Sequence, residues 1–334
     1  MDTDASILFN QLWRLPLGAN HSPAPMPITI TRSELPTIRN WLVAPKNDGF
    51  RVSLLLGAHE LRDRDVPFAA LLRFEKGKRQ IRVAADTSIV IDQQREIDAP
   101  IFKTRVVQDD LFNGTLLDGE LVEGVFVAFD AVAVCGFDTK SLPFSERVAL
   151  VRQACEALAP DALKGAGVHR VEPKPWVSTD ALEQLVSRVD VEKEGTFDGL
   201  IFADPTSPLR TGRANCLVKW KPTRMHTLDF RFKEGRWWYG HHAEEKDLIE
   251  EKGVKISNPN DVEIEESRVY ECRPIDSDHF AVMALRTDKD APNNERCVDV
   301  TRTNVLEDVT LAEMVETLRR PPKKRVKTVH VVVK

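Results

Sequence analysis

The sequence predicts an α+β fold built as two domains, and three observations support that prediction. With 334 residues the chain is long for one compact core, so two domains are expected. From Phe50 to Val134, short runs rich in Val, Ile, Leu and Phe are broken by Gly, Asp and Asn, a pattern typical of antiparallel strands and hairpins. After Pro222 the texture changes to short strand-like runs, which indicates a separate small β domain. The predicted division is residues 1–226, residues 227–320 and a basic tail, residues 321–334.

Three helices are predicted to flank the strands, at approximately residues 144–158, 180–189 and 310–319. The first two carry apolar residues at helical spacing. The second and third begin with capping patterns, Asp180 with Glu183 and Thr310 with Glu313. The remaining predicted strands are Gly199–Phe202, Cys216–Trp220, Thr227–Phe232, Arg268–Pro274 and His279–Arg286.

The composition excludes several classes of protein. Apolar residues make up 42% and charged residues 30% of the chain, which is ordinary for a globular protein. No apolar run approaches the roughly 20 residues that a membrane span needs, and the N-terminus lacks a secretory pattern, so we expect an intracellular protein without membrane contact. The net charge of −5 argues against coating nucleic acid by bulk electrostatics. The five cysteines lack zinc or disulfide spacing and are predicted to be reduced thiols.

A lysine stands at the edge of a predicted tight turn. Pro45 forces the preceding residue into an extended conformation, so a strand can run to Lys46, and Asp48-Gly49 supplies the turn that follows. The unperturbed pKa of a lysine is roughly 10.4. A nucleophilic lysine therefore needs burial, cationic neighbours or a metal to lower that pKa. Taken alone, the stretch is more often simply a turn than a reactive site.

Other strands place functional groups two residues apart, which puts them on one face. Asp118 and Glu120 share a face in one predicted strand, and Phe129 lies on the face opposite its two neighbours in the next. Lys219 and Lys221 point two cations at one spot, which together with a nearby carboxylate strand suggests a phosphate and metal site. Each pattern alone also fits an ordinary hairpin, a core ring or a solvated strand edge.

Two stretches of the smaller domain carry further candidates. The loop Arg286–Asn293 holds an arginine and a lysine, which a mobile domain could bring to a pyrophosphate leaving group. The aromatic run that begins with Trp237 and Trp238 could stack on nucleic-acid bases. Packing inside the β domain is the more common role of such a run.

In their order along the chain, these stretches resemble the motifs of the covalent nucleotidyltransferase superfamily. Within it they resemble the messenger RNA capping guanylyltransferases more than the polynucleotide ligases. Leu217–Pro222 followed by Thr227–Phe230, and the loop Arg286–Asn293, carry that distinction. Met26–Ile30 also resembles the segment that precedes the nucleotidyltransferase core of capping enzymes. The resemblance spans about residues 16–318.

The resemblance implies a nucleotidyltransferase domain followed by an OB-fold β-barrel domain. It also implies that Lys46 attacks the α-phosphate of GTP and that the resulting lysyl-GMP passes its GMP to the 5′-diphosphate end of an RNA. The contacts it implies are Arg51 and Glu120 at the ribose hydroxyls, Phe129 stacked on guanine, Lys174 at the guanine edge, Asp198 at a divalent metal (Mg²⁺ or Mn²⁺), Lys219 and Lys221 at the α-phosphate, and Arg286, Asp288 and Lys289 at the β- and γ-phosphates.

The chain departs from the family pattern beside the lysine. Asn47 stands where the family more often has Thr or Ala, and Pro45 is unusual before the nucleophile. Neither departure removes a reacting group, although both leave the rate of lysine activation open. Two other functions stay open from the sequence: an ATP-dependent polynucleotide ligase, and a catalytically inactive relative that binds RNA.

The resemblance further implies an RNA triphosphatase, a cap methyltransferase and the C-terminal domain of RNA polymerase II as partners. The basic tail resembles a nuclear-import signal around Pro321–Lys327. We therefore expect a nuclear protein. An RNA-facing role for the tail and a cytoplasmic viral replication site are the alternatives.

Overall fold

Strands provide most of the regular structure in this chain. The computed structural model describes residues 2–13, 25–60, 65–74, 81–85, 87–91, 109–158, 168–191, 197–240, 244–287 and 289–320. The strands are β1 (Pro25–Thr29), β2 (Leu42–Asn47), β3 (Phe50–Glu60), β4 (Asp65–Phe74), β5 (Ile81–Ala85), β6 (Thr87–Ile91), β7 (Thr115–Val122), β8 (Val125–Val134), β9 (Phe137–Asp138), β10 (Arg170–Pro173), β11 (Val177–Ser178), β12 (Phe197–Ala203), β13 (Gly212–Trp220), β14 (Leu228–Lys233), β15 (Arg236–Tyr239), β16 (Lys246–Asp247), β17 (Lys255–Ser257), β18 (Val269–Asp276) and β19 (His279–Leu285). The helices are α1 (Asp2–Trp13), α2 (Phe144–Ala157), α3 (Leu182–Arg188), α4 (Leu248–Lys252), α5 (Glu295–Glu307) and α6 (Leu311–Arg319).

The strands assemble into three sheets. The first has the order β1-β13-β12-β2-β11, and the second has the order β10-β8-β7-β3-β4-β5-β6 with β9 paired to β8. The third has the order β16-β15-β14-β18-β19-β17. Pairing is antiparallel except for β1 with β13, β10 with β8 and β17 with β19. The fold is therefore α+β with largely antiparallel sheets, as the sequence predicts.

The chain divides into two compact units. The first contains Met1–Thr29, Trp41–Ser178 and Gln184–Lys221, and the second contains Ile30–Asn40, Thr179–Glu183 and the chain from Pro222 onward. The predicted division gives each domain one continuous stretch, whereas here Ile30–Asn40 and Thr179–Glu183 group with the second unit. Polar contacts hold one of these segments there, because Arg32 Nε donates to Glu313 Oε1 at 2.7 Å and Arg39 Nη2 donates to Thr317 O at 2.8 Å.

The core of the first unit lies between the second sheet and α2. Val151 and Ala154 of the helix pack with Leu54, Leu117 and Ala131 of the strands, and all five are buried. The two alanines let helix and sheet approach closely, while each buried Leu or Val stabilises the unit by roughly 1.5–3 kcal/mol relative to an exposed position. This packing fixes β7 and β8, which carry several of the predicted site residues.

The core of the second unit is rich in aromatic rings. Phe230 and Phe280 pack edge to face with ring centroids 5.8 Å apart, a favoured geometry for aromatic pairs. Trp237 packs against Tyr270 with centroids 5.8 Å apart, and Trp238 Nε1 donates to Lys233 O at 2.9 Å. Trp237 therefore takes the packing role that the sequence favoured.

The structure refines two of the three predicted helices. The second opens as a 3₁₀ turn, Thr179–Ala181, before α3 begins. At the start of α6, Thr310 Oγ1 accepts from the backbone N–H of Glu313 at 3.1 Å, so one half of the predicted capping box is present. The Glu313 carboxylate instead accepts from Arg32. Among the helices of the described residues, none is long and apolar enough to cross a membrane.

Candidate active site

Lys46 lies near the end of β2, with its amine held by a carboxylate. Its Nζ donates to Asp198 Oδ1 at 2.6 Å and to the Asn47 backbone oxygen at 3.4 Å. The Lys46 side chain is 20% exposed. The amine therefore lies against the protein rather than in bulk water, which the predicted nucleophilic role requires.

A glycine brings Asp198 to this position. The pairing of β12 with β2 shifts register between Phe197 and Leu200. Gly199 has φ +130°, and a Cβ on it would lie 2.0 Å from the Trp220 backbone oxygen. Because no other residue tolerates that approach, Gly199 lets β12 run close to the end of β13, where Lys221 follows.

Asp198 joins two ammonium groups. Lys221 Nζ forms an ion pair with Asp198 Oδ2, while Lys46 occupies the other carboxylate oxygen. Burial would raise the pKa of Asp198, but the charges of Lys46 and Lys221 outweigh burial and hold this pKa below its usual value. Asp198 therefore stays ionised near neutral pH.

Lys219 is placed on the same face of its sheet as the site. It lies opposite Ile201 in the pairing of β13 with β12, and Ile201 and Leu217 both line the cavity described next. Since residues two apart in a strand share a face, Lys219 follows Leu217 on the cavity side. The sequence predicted that Lys219 and Lys221 lie in one strand. In the structure Lys221 lies one residue beyond the end of β13, so that part of the prediction is wrong.

Five predicted residues line a single cavity of the first unit. They are Lys46, Arg51, Glu120, Phe129 and Lys174. The cavity has a volume of about 160 Å³ and is open to solvent. Its walls include the apolar side chains of Phe144, Trp176, Ile201 and Leu217. An apolar slot lined by a few converging charges suits a ligand with a flat ring and an anionic part.

Arg51 is fixed between a carboxylate and a ring. Its Nε donates to Asp118 Oδ1 at 3.2 Å and its Nη1 donates to Pro25 O at 2.7 Å. Its guanidinium lies 5.2 Å from the centroid of the Phe129 ring. Burial would lower the pKa of Arg51, but Asp118 more than compensates and the pKa is raised. Arg51 therefore carries a permanent, oriented positive charge in the cavity.

Lys174 is buried within reach of the opposite charge of Glu120. Lys174 is 3% exposed, and its Nζ donates to Asn47 Oδ1 at 2.5 Å. Burial lowers the pKa of Lys174 to about 8, against the attraction of Glu120. Burial also raises the pKa of Glu120, opposed by the charges of Lys174 and Lys46. Both groups can therefore change charge closer to neutrality than ordinary surface residues.

One cavity feature was not predicted from the sequence. Arg147 and Asp130 form a bidentate ion pair, with Nε–Oδ1 at 2.7 Å and Nη2–Oδ2 at 3.0 Å, and both side chains are almost fully buried. Arg147 also donates to Leu142 O and Ser207 O. A signal was present, because Arg147 precedes Val151 by four positions on the apolar face of α2. A charge on such a face indicates a buried partner.

The predicted phosphate-binding residues of the second unit also meet at one carboxylate. Arg286 Nη1 donates to Asp229 Oδ1 at 2.8 Å, and Lys289 Nζ bonds to Asp229 Oδ2. The Asp229 side chain is 5% exposed. Asp288, the third predicted residue of this loop, lies outside the described residues, as do residues 321–334 of the basic tail.

The comparisons with known proteins agree with the sequence motifs. Residues 9–223 match the family model for the mRNA capping enzyme catalytic domain. The chain is 21% identical over 322 residues to an mRNA-capping enzyme of Caenorhabditis elegans, covering 88% of this chain and 48% of the relative. It is 31% identical over 150 residues to the mRNA-capping enzyme subunit alpha of Saccharomyces cerevisiae, covering 40% of this chain and 32% of the relative.

The solved structures are more distant. A mycobacterial DNA ligase D complexed with ATP and MES is 15% identical, with a TM-score of 0.40 over 80% of this chain and 95% of that chain. A Chlorella virus DNA ligase-adenylate is 12% identical, with a TM-score of 0.32 over 79% of this chain and 99% of that chain. The chain spans about half or less of the length of the curated relatives it matches. Because the family model matches most of its length, the chain belongs to the mRNA capping enzyme catalytic-domain family.

Proposed function

We propose that this protein is an mRNA guanylyltransferase. The observation that carries the proposal is the position of Lys46. It lines the cavity and forms an ion pair with Asp198, which also forms an ion pair with Lys221. Family membership supplies the reaction class. The cavity supplies a flat aromatic wall at Phe129 and an oriented cation at Arg51, as a nucleotide would require.

The reaction has two steps that exchange one bond each. In the first, the unprotonated Nζ of Lys46 attacks the α-phosphorus of GTP, the N–P bond forms, and the P–O bond to the β-phosphate breaks to release pyrophosphate. In the second, a terminal oxygen of the RNA 5′-diphosphate attacks the same phosphorus and the N–P bond breaks. The product is a GMP joined to the RNA through a triphosphate bridge, and Lys46 regains its proton.

The surroundings of Lys46 favour this chemistry. Asp198 fixes the amine in place, which removes part of the entropic cost of attack. Lys46 and Lys221 share the Asp198 carboxylate. An incoming triphosphate would compete with Asp198 for both lysines. Lys219 extends this positive face, and we assign both lysines to the α-phosphate. Positioning and charge neutralisation are the main sources of catalysis in phosphoryl-transfer reactions.

Asp198 is the residue we assign to a divalent cation, Mg²⁺ or Mn²⁺. Among the described residues no group of three or more His, Cys, Asp or Glu side chains could hold a metal. One ionised carboxylate still fits, because Mg²⁺ is commonly bound by one or two carboxylates together with substrate phosphates and water. A bound metal would neutralise charge on the triphosphate.

The cavity also supports a choice of base. We assign Phe129 to stacking on guanine, Lys174 to the guanine edge, and Arg51 and Glu120 to the ribose hydroxyls. A lysine donates hydrogen bonds and accepts none while it is protonated. It therefore suits the guanine O6 and N7 acceptors and opposes the amino group of adenine. An ATP-dependent polynucleotide ligase is the competing function, because it uses the same lysine chemistry.

For the second unit we propose an OB-fold domain that acts on the leaving group. Its six-stranded, largely antiparallel sheet and aromatic core support this assignment. Arg286, Asp288 and Lys289 would neutralise the β- and γ-phosphates during the first step. Such a domain must then move away before RNA enters.

We further propose a nuclear location and, as partners, an RNA triphosphatase, a cap methyltransferase and the C-terminal domain of RNA polymerase II. The basic tail supports the location on composition alone. A cytoplasmic viral replication site is the alternative, which imaging of the full chain with and without residues 321–334 would distinguish.

Covalent labelling tests the function. The protein is incubated with Mg²⁺ and GTP or ATP labelled at the α-phosphate, and the adduct is detected after denaturation. We expect labelling by GTP, no adduct with Lys46→Ala, and unchanged labelling with Lys255→Ala, an exposed lysine of β17. Circular dichroism should show both variants folded. Labelling by ATP alone would replace the proposal with a ligase, and a folded, RNA-binding protein that never labels would support the inactive relative.

A further inference from the structure

We propose that Asn47 is a positioning residue, whose side-chain carbonyl holds the amine of Lys174 in the nucleotide cavity and thereby sets the choice of base. This inference rests on the proposed guanylyltransferase function. It concerns a residue at which the chain departs from the pattern of its family.

Asn47 contacts both lysines of the cavity. Its Oδ1 accepts from Lys174 Nζ at 2.5 Å, and its backbone oxygen accepts from Lys46 Nζ at 3.4 Å. The contact with Lys174 joins residues 127 positions apart. Asn47 is thus the one residue in direct hydrogen-bond contact with both amines within the described part of the chain.

The chemistry of the two groups fixes the orientation of the amide. A lysine amine donates, so the Asn47 side chain must present its oxygen rather than its nitrogen to Lys174. The backbone of Asn47 is held at the end of β2 by pairing with Phe197 of β12. With both ends constrained, the amide oxygen is a fixed point for the lysine.

Lys174 needs such a fixed point. It is 3% exposed, and burying an ammonium without an acceptor is strongly unfavourable. Its backbone is held on both sides, since Lys174 N donates to Ala128 O at 2.7 Å and Trp176 N donates to Lys174 O at 2.8 Å. Four rotatable side-chain bonds still separate that backbone from Nζ. The hydrogen bond to Asn47 removes this freedom, so that the amine meets a ligand from one direction.

A shorter side chain would not replace this contact. Alanine has no acceptor, and the hydroxyl of threonine lies one bond closer to the backbone than the Asn47 oxygen does. The hydrogen bond to Lys174 therefore requires an asparagine rather than an alanine or a threonine at position 47. We infer that a lysine left without it would still fold into the cavity but would contact guanine less selectively.

The test is a double-mutant cycle on the covalent first step. The Michaelis constant and the rate of lysyl-nucleotide formation are measured with GTP and with ATP for the wild type, Asn47→Ala, Lys174→Ala and the double variant. Asn113→Ala, at an exposed asparagine of the same unit, is the matched control. If Asn47→Ala fails to fold, Asn47→Thr takes its place, because threonine suits a strand.

We expect Asn47→Ala to raise the Michaelis constant for GTP about tenfold or more, the usual effect of losing one hydrogen bond to a charged group. The maximal rate should stay within about threefold, because Lys46 is untouched. The preference for GTP over ATP should fall by a similar factor. The double variant should be no worse than Lys174→Ala alone, since both changes remove one interaction.

Two failures are distinguishable. If the wild type forms no adduct, the proposed function falls, and this inference falls with it. If the wild type labels with GTP while Asn47→Ala keeps its Michaelis constant and base preference, only the positioning role is overturned. Additive losses in the cycle would also overturn it, because Asn47 and Lys174 would then act separately.

Discussion

Each unit contains a buried aspartate that holds two cations, and the two clusters differ in the type of cation. In the Asp198 cluster, Asp198 binds Lys46 and Lys221. In the Asp229 cluster, Asp229 binds Arg286 and Lys289. Both carboxylates are largely buried, and their cations are 20–32% exposed. The three side chains of each cluster sum to a charge of +1, and in the second unit Glu271, 4.0 Å from Arg286, offsets that charge.

The difference between the clusters lies in the type of cation. The Asp198 cluster has two lysines, whose amines can lose a proton and become nucleophilic. The Asp229 cluster includes an arginine, which stays protonated at any physiological pH and offers several donors in a plane. The first cluster therefore suits bond formation to phosphorus, and the second suits neutralising a charged leaving group.

Exchanging the cation type is the sharpest way to break this comparison. Lys46→Arg keeps the positive charge beside Asp198 but removes the nitrogen that can deprotonate. We expect adduct formation with GTP to fall at least about 1,000-fold, the scale of losing a covalent nucleophile. Lys289→Arg should stay within about threefold, because a guanidinium neutralises phosphate as well as an ammonium does.

Labelling by gel and phosphorimaging measures both variants, with thermal unfolding as the check on folding. A Lys46→Arg protein that forms the adduct would show that the nucleophile lies elsewhere. A Lys289→Arg protein as inactive as Lys46→Arg would show that the two clusters do not differ in the way we infer.

Neutralising the central aspartate of each cluster should show a second difference between the two clusters, in activity and in stability. Asp198→Asn should slow adduct formation about 100-fold, because a misplaced nucleophile of this kind commonly costs that much. Asp229→Asn should slow it about tenfold and destabilise the protein by about 1–2 kcal/mol. That value is below the 3–5 kcal/mol expected for a broken buried ion pair, since Arg286 and Lys289 are partly exposed and water screens them.

Urea unfolding and the labelling assay give the two readouts. Glu156→Gln, an exposed carboxylate on α2, is the matched control and should change neither. Equal effects of Asp198→Asn and Asp229→Asn on both readouts would contradict the division of roles.

The site residues that a sequence pattern can place are those set by local geometry. A strand repeats every two residues, which is enough to place Asp118 and Glu120 on one face. In the structure Asp118 holds Arg51 while Glu120 lines the cavity with it. The positions of Phe129 and Lys174 were predicted from the order of the motifs, because that order indicated a family whose fold brings both residues to the same cavity.

The missed features depend on contacts far apart in the chain or on weak local signals. Arg147 reaches Asp130 from a helix 17 residues away, and its position on the apolar face of α2 is only a weak local signal of a buried partner. The contact of Asn47 with Lys174 joins two strand-edge segments that only the tertiary fold brings together. Helix α5 was missed because its valines and threonines have low helix propensity. It nevertheless begins at Asn294, whose side chain accepts from the Cys297 N–H.

The smallest predicted effect concerns stability rather than activity, and it tests whether Lys174 is as buried as the site requires. Burial lowers the pKa of Lys174 to about 8 in the folded protein, against roughly 10.4 in an unfolded chain. Between these values the unfolded state binds more protons, so the free energy of unfolding rises with pH. The cost of burying the charge is fully present below pH 8 and disappears toward pH 10.4.

Lys174→Met removes this titration while keeping an apolar stem of similar length. Between pH 7 and 10.4, the free energy of unfolding of the wild type should rise relative to that of Lys174→Met by up to roughly 3 kcal/mol. Urea unfolding of both proteins across that pH range measures the difference between their free energies of unfolding. Both proteins contain the same buried thiols, so the titration of those thiols cancels in the difference. Lys255→Met, at an exposed lysine, should run parallel to the wild type. If Lys174→Met also runs parallel, then Lys174 is solvated in the folded protein and cannot be the fixed donor that distinguishes guanine from adenine.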